Sequence, residues 1–360
     1  MQQATHNDFA TVTALNRIVI GLDLGDRWSR FCMLEGTGAI LCEDRVRSTG
    51  QALGERFGTL PPARFVIETG THSPWVSRLL SEMGHSVVVA NARKLRMIYE
   101  SNRKNDRLDA RMLARLGRAD VELLSPVQHR SAQVQADLAV VRGREALVAA
   151  RTQLINACRG MVKAMGGRLP RSTTAALVGK VQAEVPRELQ TALRPLLASI
   201  GTLSEQIRGC DRKIRMLAAK QYPETKLLQQ VQGVGPLVAL TYVLTLEDPH
   251  RFTNSRAVGS YLGLSPKQSE SGDSAPQLRI TKAGNGRMRR LLVQSAHYIL
   301  SSLARDSRLR RWGLSLASRG GKNGKRRAVI AVARKLAVLL HKLWATGQVY
   351  EPLHGLPLAA

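Results

Sequence analysis

Arg17 to Gly25 reads RIVIGLDLG, and this stretch decides the fold of the first third of the chain. A short β-branched apolar run stopped by glycine predicts a buried strand, with Asp23 at its end. Working outward, Arg30–Leu34 and Ala39–Val46 predict two more strands around the turn Gly36-Thr37-Gly38. A short helix is expected over Gln51–Phe57. RFVIE, Arg64 to Glu68, is a fourth strand, halted by Thr69-Gly70 with a second carboxylate at its end. Ser73-Pro74 opens a helix to Met83, because proline is tolerated in a first helical turn. HSVVVA, His85 to Ala90, is a fifth strand, and a helical pattern runs from Arg93 to about Asp120.

Three strands followed by alternating helix and strand is the element order of a ribonuclease-H-like mixed sheet. Folds of that kind do chemistry with carboxylates at strand ends, where side chains reach solvent. Asp23 and Glu68 sit at such ends, and Asp106 and Asp109 stand three apart in KNDRLDAR, on one helical face. Converging carboxylates repel one another unless a cation lies between them, and hard oxygen donors suit Mg2+ or Mn2+. Each acid also has an ordinary reading. Asp23 can cap a turn, Glu68 can pair with an arginine, and Asp106 can be a helix N-cap with Asp109 at the third helical position. Asp26, Glu35, Glu43 and Asp44 are read as surface charges in or near turns. GLDLG is also similar to the first phosphate loop of actin-like and sugar-kinase ATPases. The second loop those proteins need is missing from 126–360, and Gly324-Lys325 runs into Arg326 without completing a P-loop.

The 360 residues carry 54 Lys and Arg against 27 Asp and Glu, a net charge of +27, with 44% hydrophobic residues. That content excludes a disordered chain, and the charge calls for a polyanionic partner. Aromatic residues make up only 4%, so the expected grip is on phosphates rather than by stacking many bases. The charge is uneven: residues 1–90 net −1 and 231–280 net zero, whereas 281–350 hold sixteen basic residues against the single acid Asp306. Four cysteines without CxxC spacing fit reduced thiols in a cytoplasmic protein. Met1–Thr13 lacks the pattern of a signal peptide, and no apolar run approaches the roughly 18 residues of a membrane span.

Beyond Asp120 the periodicity predicts long helices over Ala132–Met165 and Leu189–Ala219, an antiparallel hairpin or coiled-coil arm for oligomerisation, or equally an ordinary helical domain. Gln232-Gly233-Val234-Gly235-Pro236 reads as a tight turn between helices whose N–H groups can approach a phosphate. Then come YLGLSPKQSESG, Tyr261 to Gly272, and RITKAGNGRMRR, Arg279 to Arg290, leading into a helix to Ala304. A last helix, Arg326 to Trp344, follows. Lys282, Arg287, Arg289, Arg290, Lys325, Arg326, Arg327 and Arg334 are the candidate nucleic-acid contacts in this basic stretch. The expected organisation is therefore an α/β domain over 1–125, a helical or coiled-coil region over 126–225, and a mainly α domain over 226–360.

Asp23, Glu68, KNDRLDAR, YLGLSPKQSESG and ITKAGN together resemble the DEDD-type transposases of insertion sequences, from about Ile18 to Leu343. In that family a RuvC-like domain is followed by a coiled-coil region and a C-terminal catalytic-serine domain, and recombination is guided by a bridge RNA. The resemblance implies that Asp23, Glu68, Asp106 and Asp109 bind Mg2+ or Mn2+ and that Ser271, before Gly272, is a nucleophile. A serine in a polar loop would not be chosen on residue chemistry alone, since no nearby histidine offers a base. The family often has another serine directly before this one. Glu270 stands there in this chain, leaving Ser269 as a competitor. The implied partners are donor and target DNA, a guide RNA and further copies of the chain as a dimer or tetramer, with no membrane and with metal and serine acting in one composite site. Two other classes remain: a metal-dependent junction nuclease without serine chemistry, and a non-catalytic nucleic-acid-binding protein.

Overall fold

The structure is a computed structural model that describes residues 18–94, 105–169, 187–272, 274, 276, 278–321 and 323–353. Met1–Thr13, residues 95–104 of the helix expected from Arg93, Pro170 and Asp273 lie outside these residues, and Arg93 and Lys94 form a turn. Two compact units result, 1–130 and 131–360. The long helices of the middle region belong to the second.

In the first unit, β1 (Ile18–Asp23), β2 (Trp28–Glu35), β3 (Ile40–Arg47), β4 (Arg64–Glu68) and β5 (Ser86–Ala90) form one sheet in the order β3-β2-β1-β4-β5. β1 pairs parallel to β4 and antiparallel to β2, and β4 pairs parallel to β5. β1 is central, which explains why its sequence is a continuous apolar run rather than an alternating one. Helices α1 (Gly50–Phe57) and α2 (Ser73–Glu82) contribute to a core in which Phe31, Phe57 and Phe65 stack edge to face. The opposite face is covered by α3 (Asp106–Ala119), with Val19, Val66 and Leu113 in its core.

In the second unit, α4 (Ala132–Ala164) and α5 (Gln190–Lys220) are antiparallel. Val134, Leu138 and Val141 near the start of α4 pack on Ile214 and Leu217 near the end of α5, while Ile155 and Val162 meet Leu193 and Leu197 at the other ends. Each helix is about 50 Å long at 1.5 Å per residue. The apolar spacing is thus satisfied within the chain, as a hairpin. Polar groups cross the same seam: Arg144 Nε donates to Asp211 at 2.5 Å and Arg151 to Ser204 at 3.2 Å.

The remaining helices are α6 (Thr225–Leu228), α7 (Pro236–Leu246), α8 (Ser255–Tyr261), α9 (Gly286–Ile299), α10 (Arg308–Ser318) and α11 (Gly324–Thr346). They enclose a core to which α11 supplies Val332, Ala333, Leu336 and Leu340. The fully buried Tyr242 keeps its hydroxyl satisfied by donating to Ala337 O at 2.6 Å, and His341 is held between Ser255 Oγ and Pro249 O. α9 ends at Ile299, short of the expected Ala304. α10 has no counterpart among the expected elements, because three arginines in eleven residues mask an apolar stripe with only Leu309 and Gly313 buried.

Candidate functional site

The placement of the carboxylates begins with Gly21. A Cβ there would fall 2.0 Å from Ala110 O and 2.4 Å from Ala114 N, so the backbone of α3 can lie on β1 only because this residue is glycine. Strand side chains alternate, which puts Asp23 on the same α3-covered face as Gly21. On β4, Val66 meets α3 at Gly117, so Glu68 shares that face too. Leu22 is in register with Ile67, and Asp23 and Glu68 therefore end neighbouring parallel strands side by side. At the far end of α3, Arg118 donates to Gly36 O at 3.3 Å in the β2–β3 turn, which lies beside the start of β1. α3 consequently runs antiparallel to β1, and its first turn points to the Asp23 end. Asp106 and Asp109 precede the buried Ala110 and Leu113 by one turn, on the sheet-facing stripe, with Asp106 exposed and Asp109 half-buried. Asn105, not Asp106, is the N-cap: its side chain accepts from Arg107 N at 3.0 Å.

The donor set is of the kind a hard divalent cation takes, all oxygen and all anionic. Among the described residues, no three His, Cys, Asp or Glu side chains are gathered as a ready-made ligand group. What fits a cation is the placement of the four acids by the backbone. The fit lies in donor chemistry and in the shared end of the sheet.

Glu43 departs from its reading as a surface charge. It lies within β3, its side chain is only 9% exposed, and it receives Arg111 Nε at 2.7 Å and Arg107 Nη2 at 2.5 Å. Asp26, Glu35 and Asp44 are exposed as expected. Hydrogen bonds from Arg111 and then Arg107, acting against burial, hold the Glu43 carboxyl down at about 2. The pair fastens the first turns of α3 to the sheet and so positions Asp106 and Asp109. A depressed carboxylate stabilises the fold above its ordinary value of about 4.5 and loses that contribution as pH falls through about 2. Glu43→Gln is expected to cost about 2 kcal/mol at pH 7, the pKa difference discounted because Arg107 is largely exposed. Thermal unfolding of both proteins from pH 7 to pH 2 checks this: the two melting points should converge below about pH 4.

In the second unit the two motif phrases meet backbone to backbone. A Cβ on Gly263 would lie 2.2 Å from Ala283 O, and one on Gly284 would lie 2.0 Å from Tyr261 O; both glycines have positive φ. Lys282 N donates to Gly263 O, Thr281 N to Ser265 O and Lys267 N to Arg279 O, closing the base of a long hairpin. Ser271 is at its tip, exposed, with Ser271 N donating to Ser274 O at 3.2 Å and Ser274 N to Ser271 O at 3.1 Å. The phrases YLGL and KAGN thus build the stem that carries the serine.

Beside this stem runs a groove of 1120 Å³. Arg256 of α8, Arg279 and Lys282 of the stem, and Arg326, Arg327, Arg334 and Lys335 of α11 line it; among the described residues no acid does. The other basic candidates are placed differently. Arg287 and Arg290 both reach Glu145 of α4, and Arg289 donates to Leu262 O and Ala283 O, bracing the motif contact. Lys325 is exposed in the first turn of α11. Arg256 and Arg279 stand outside the candidate contacts named from the sequence, and Lys335 adjoins Arg334 on the basic face of the last helix. The turn at Gly233 packs against α9, where a Cβ would lie 3.2 Å from Ser295 O.

Residues 20–166 match a family model for DEDD transposases of the IS110 group, described as "Transposase", and residues 225–312 match "Transposase IS116/IS110/IS902 family". The first range contains all four carboxylates, and the second contains Ser271 and both motif phrases. "Putative transposase y4pF/y4sB" of Sinorhizobium fredii is 31% identical over 83% of this chain and 77% of its own length. The chain belongs to the IS110 family of insertion-sequence transposases. The transposase is also 28% identical to "Transposase for insertion sequence element IS1328" of Yersinia enterocolitica, over 93% of this chain and 99% of that protein. A third relative, "Transposase for insertion sequence element IS1111A" of Coxiella burnetii, is 27% identical over 92% and 91%. As a member of this family the transposase is an enzyme of DNA strand cleavage and transfer. Among the described residues, no helix is long and apolar enough to cross a membrane.

Proposed function

We propose that the transposase exchanges DNA strands through a divalent cation held by Asp23, Glu68, Asp106 and Asp109 and a nucleophilic Ser271, directed by a guide RNA. The observation that carries this reading is the convergence of Asp23, Glu68 and the acidic first turn of α3 on one end of one sheet face. The strand order, with β2 alone reversed, supports a ribonuclease-H/RuvC-like reading of the first unit. Bound Mg2+ or Mn2+ supplies positive charge beside the phosphoryl oxygens, where negative charge develops. Ser271 Oγ attacks phosphorus, loses its proton, and forms a phosphoserine ester while the bond to the departing sugar oxygen breaks. That oxygen leaves protonated as a hydroxyl. Attack by another strand's hydroxyl then frees the serine, so exchange needs no nucleotide hydrolysis.

The basic groove supports nucleic-acid binding by its sign and continuity. Full-length protein should bind duplex DNA with an affinity that falls steeply with salt, each neutralised phosphate contributing about −0.9 to the log–log slope. Arg326→Ala/Arg327→Ala/Arg334→Ala is expected to flatten that slope by about 3 units. An unchanged slope places these side chains on a merely solvated face. Sequencing RNA that co-purifies with the transposase tests the guide: one defined species supports it, and a random cellular pool opposes it. The partners in this reading are donor and target DNA, the guide RNA and further copies of the chain.

A further inference from the structure

A duplex needs only cations, because it presents phosphates outward and keeps its bases stacked inside. The groove beside the serine hairpin offers more than cations. Its lining, the floor beside those cations, also includes the apolar Leu264, Leu278, Ile280, Ile330 and Val338 and the ring of Trp312. Lys335 Nζ sits 4.2 Å from the centre of that ring, a cation–π contact. Leu278 is 37% exposed, although it lies on the stem that ends in Ser271. An open apolar surface of this kind costs solubility unless something covers it. Its volume of 1120 Å³ exceeds the roughly 300–1,000 Å³ of ordinary small-molecule sites. The seven cations lining it form no ion pair with a described carboxylate. The apolar and the cationic parts of the lining together match an unpaired nucleotide, with its base on the apolar side chains and its phosphates on the cations.

We propose that this groove seats one or two unpaired DNA bases next to the strand that Ser271 attacks. The inference rests on the reading of the groove as a nucleic-acid interface and adds what kind of nucleic acid it selects. DNA is the occupant because the enzyme's cleaved strand is DNA and the groove is lined by the stem that carries Ser271. A single ring with aliphatic neighbours suits a short unpaired segment. It does not suit a long stacked run, in keeping with the 4% aromatic content.

Full-length protein is titrated with a 12-nucleotide single strand of DNA, the same sequence as duplex, and the same sequence as single-stranded RNA, at one salt concentration. Leu278→Ser removes apolar surface from an exposed loop position and leaves the charge unchanged. Trp312→Ala removes the ring, and Trp312→Phe retains a ring in case the alanine variant misfolds. Leu278→Ser and Trp312→Ala are each expected to weaken single-stranded DNA binding by about tenfold and duplex binding by less than twofold, with Trp312→Phe near wild type. A single strand carrying 5-bromouracil should cross-link to Trp312 on irradiation, and the duplex should not. Equal loss for single strand and duplex, or no loss for either, overturns the proposal, as does a stronger floor dependence for RNA than for DNA. The cation variant Arg326→Ala/Arg327→Ala separates the two readings. If it leaves all binding unchanged, the interface reading itself fails. If it weakens all binding while the floor variants change nothing, only the unpaired-base proposal falls.

Discussion

Asp106→Asn is expected to reduce DNA strand cleavage by a factor of about 10³ while leaving the fold and DNA affinity nearly intact. The discriminating power comes from where this acid sits. Asp106 is exposed at the first residue of α3, and the helix cap is supplied by Asn105 accepting from Arg107 N. A purely structural Asp106 therefore contributes only its interaction with the helix dipole, about 0.3–1 kcal/mol, and the amide is nearly isosteric. If Asp106 instead shares a cation with Asp23, Glu68 and Asp109, losing its charge removes a ligand from the place where the phosphorane develops. Asp23→Asn, Glu68→Gln and Asp109→Asn should behave likewise, and a chelator should mimic them all. Cleavage on a labelled substrate, with a melting curve and a binding titration on the same preparation, checks the result. Wild-type rates in Asp106→Asn, or in chelator, would return these acids to their ordinary readings.

Ser271→Ala is expected to bind DNA and RNA like wild type yet form neither recombinant product nor a protein–DNA adduct on a denaturing gel. The hairpin tip should survive the change, because Ser271 and Ser274 are joined through backbone N–H and C=O groups and the stem is closed by Gly263 and Gly284. The hydroxyl is then the single thing removed. Ser269→Ala, two residues back on the same loop, should retain both product and adduct. An adduct persisting in Ser271→Ala transfers the role to another nucleophile. A wild-type enzyme that recombines DNA without any adduct supports the carboxylate-only nuclease.

Much of the first unit was legible from local pattern. RIVIGLDLG and RFVIE are strands because β-branched runs pack well in a buried sheet, and a carboxylate directly after such a run has only the strand end on which to stand. The long helices of the second unit followed from periodicity, and the two motif phrases marked the loop that holds Ser271. Each of these readings uses neighbours a few residues apart, which is the range over which backbone periodicity and turn chemistry act. What joins the pieces acts over longer range, and the tertiary structure alone decided it. Glu43 looked like a solvated charge until α3 brought Arg107 and Arg111 onto it from more than sixty residues away. Arg287 and Arg290 are candidate nucleic-acid contacts by sequence, and the fold adds a partner that sequence did not show, Glu145 on α4, which pairs with both. The groove draws its lining from α8, the serine stem, α10 and α11, so no single stretch of sequence carries its pattern. A charge contributes according to the partner and the burial it meets, and both are set by chain crossings that the order of residues along one segment does not encode.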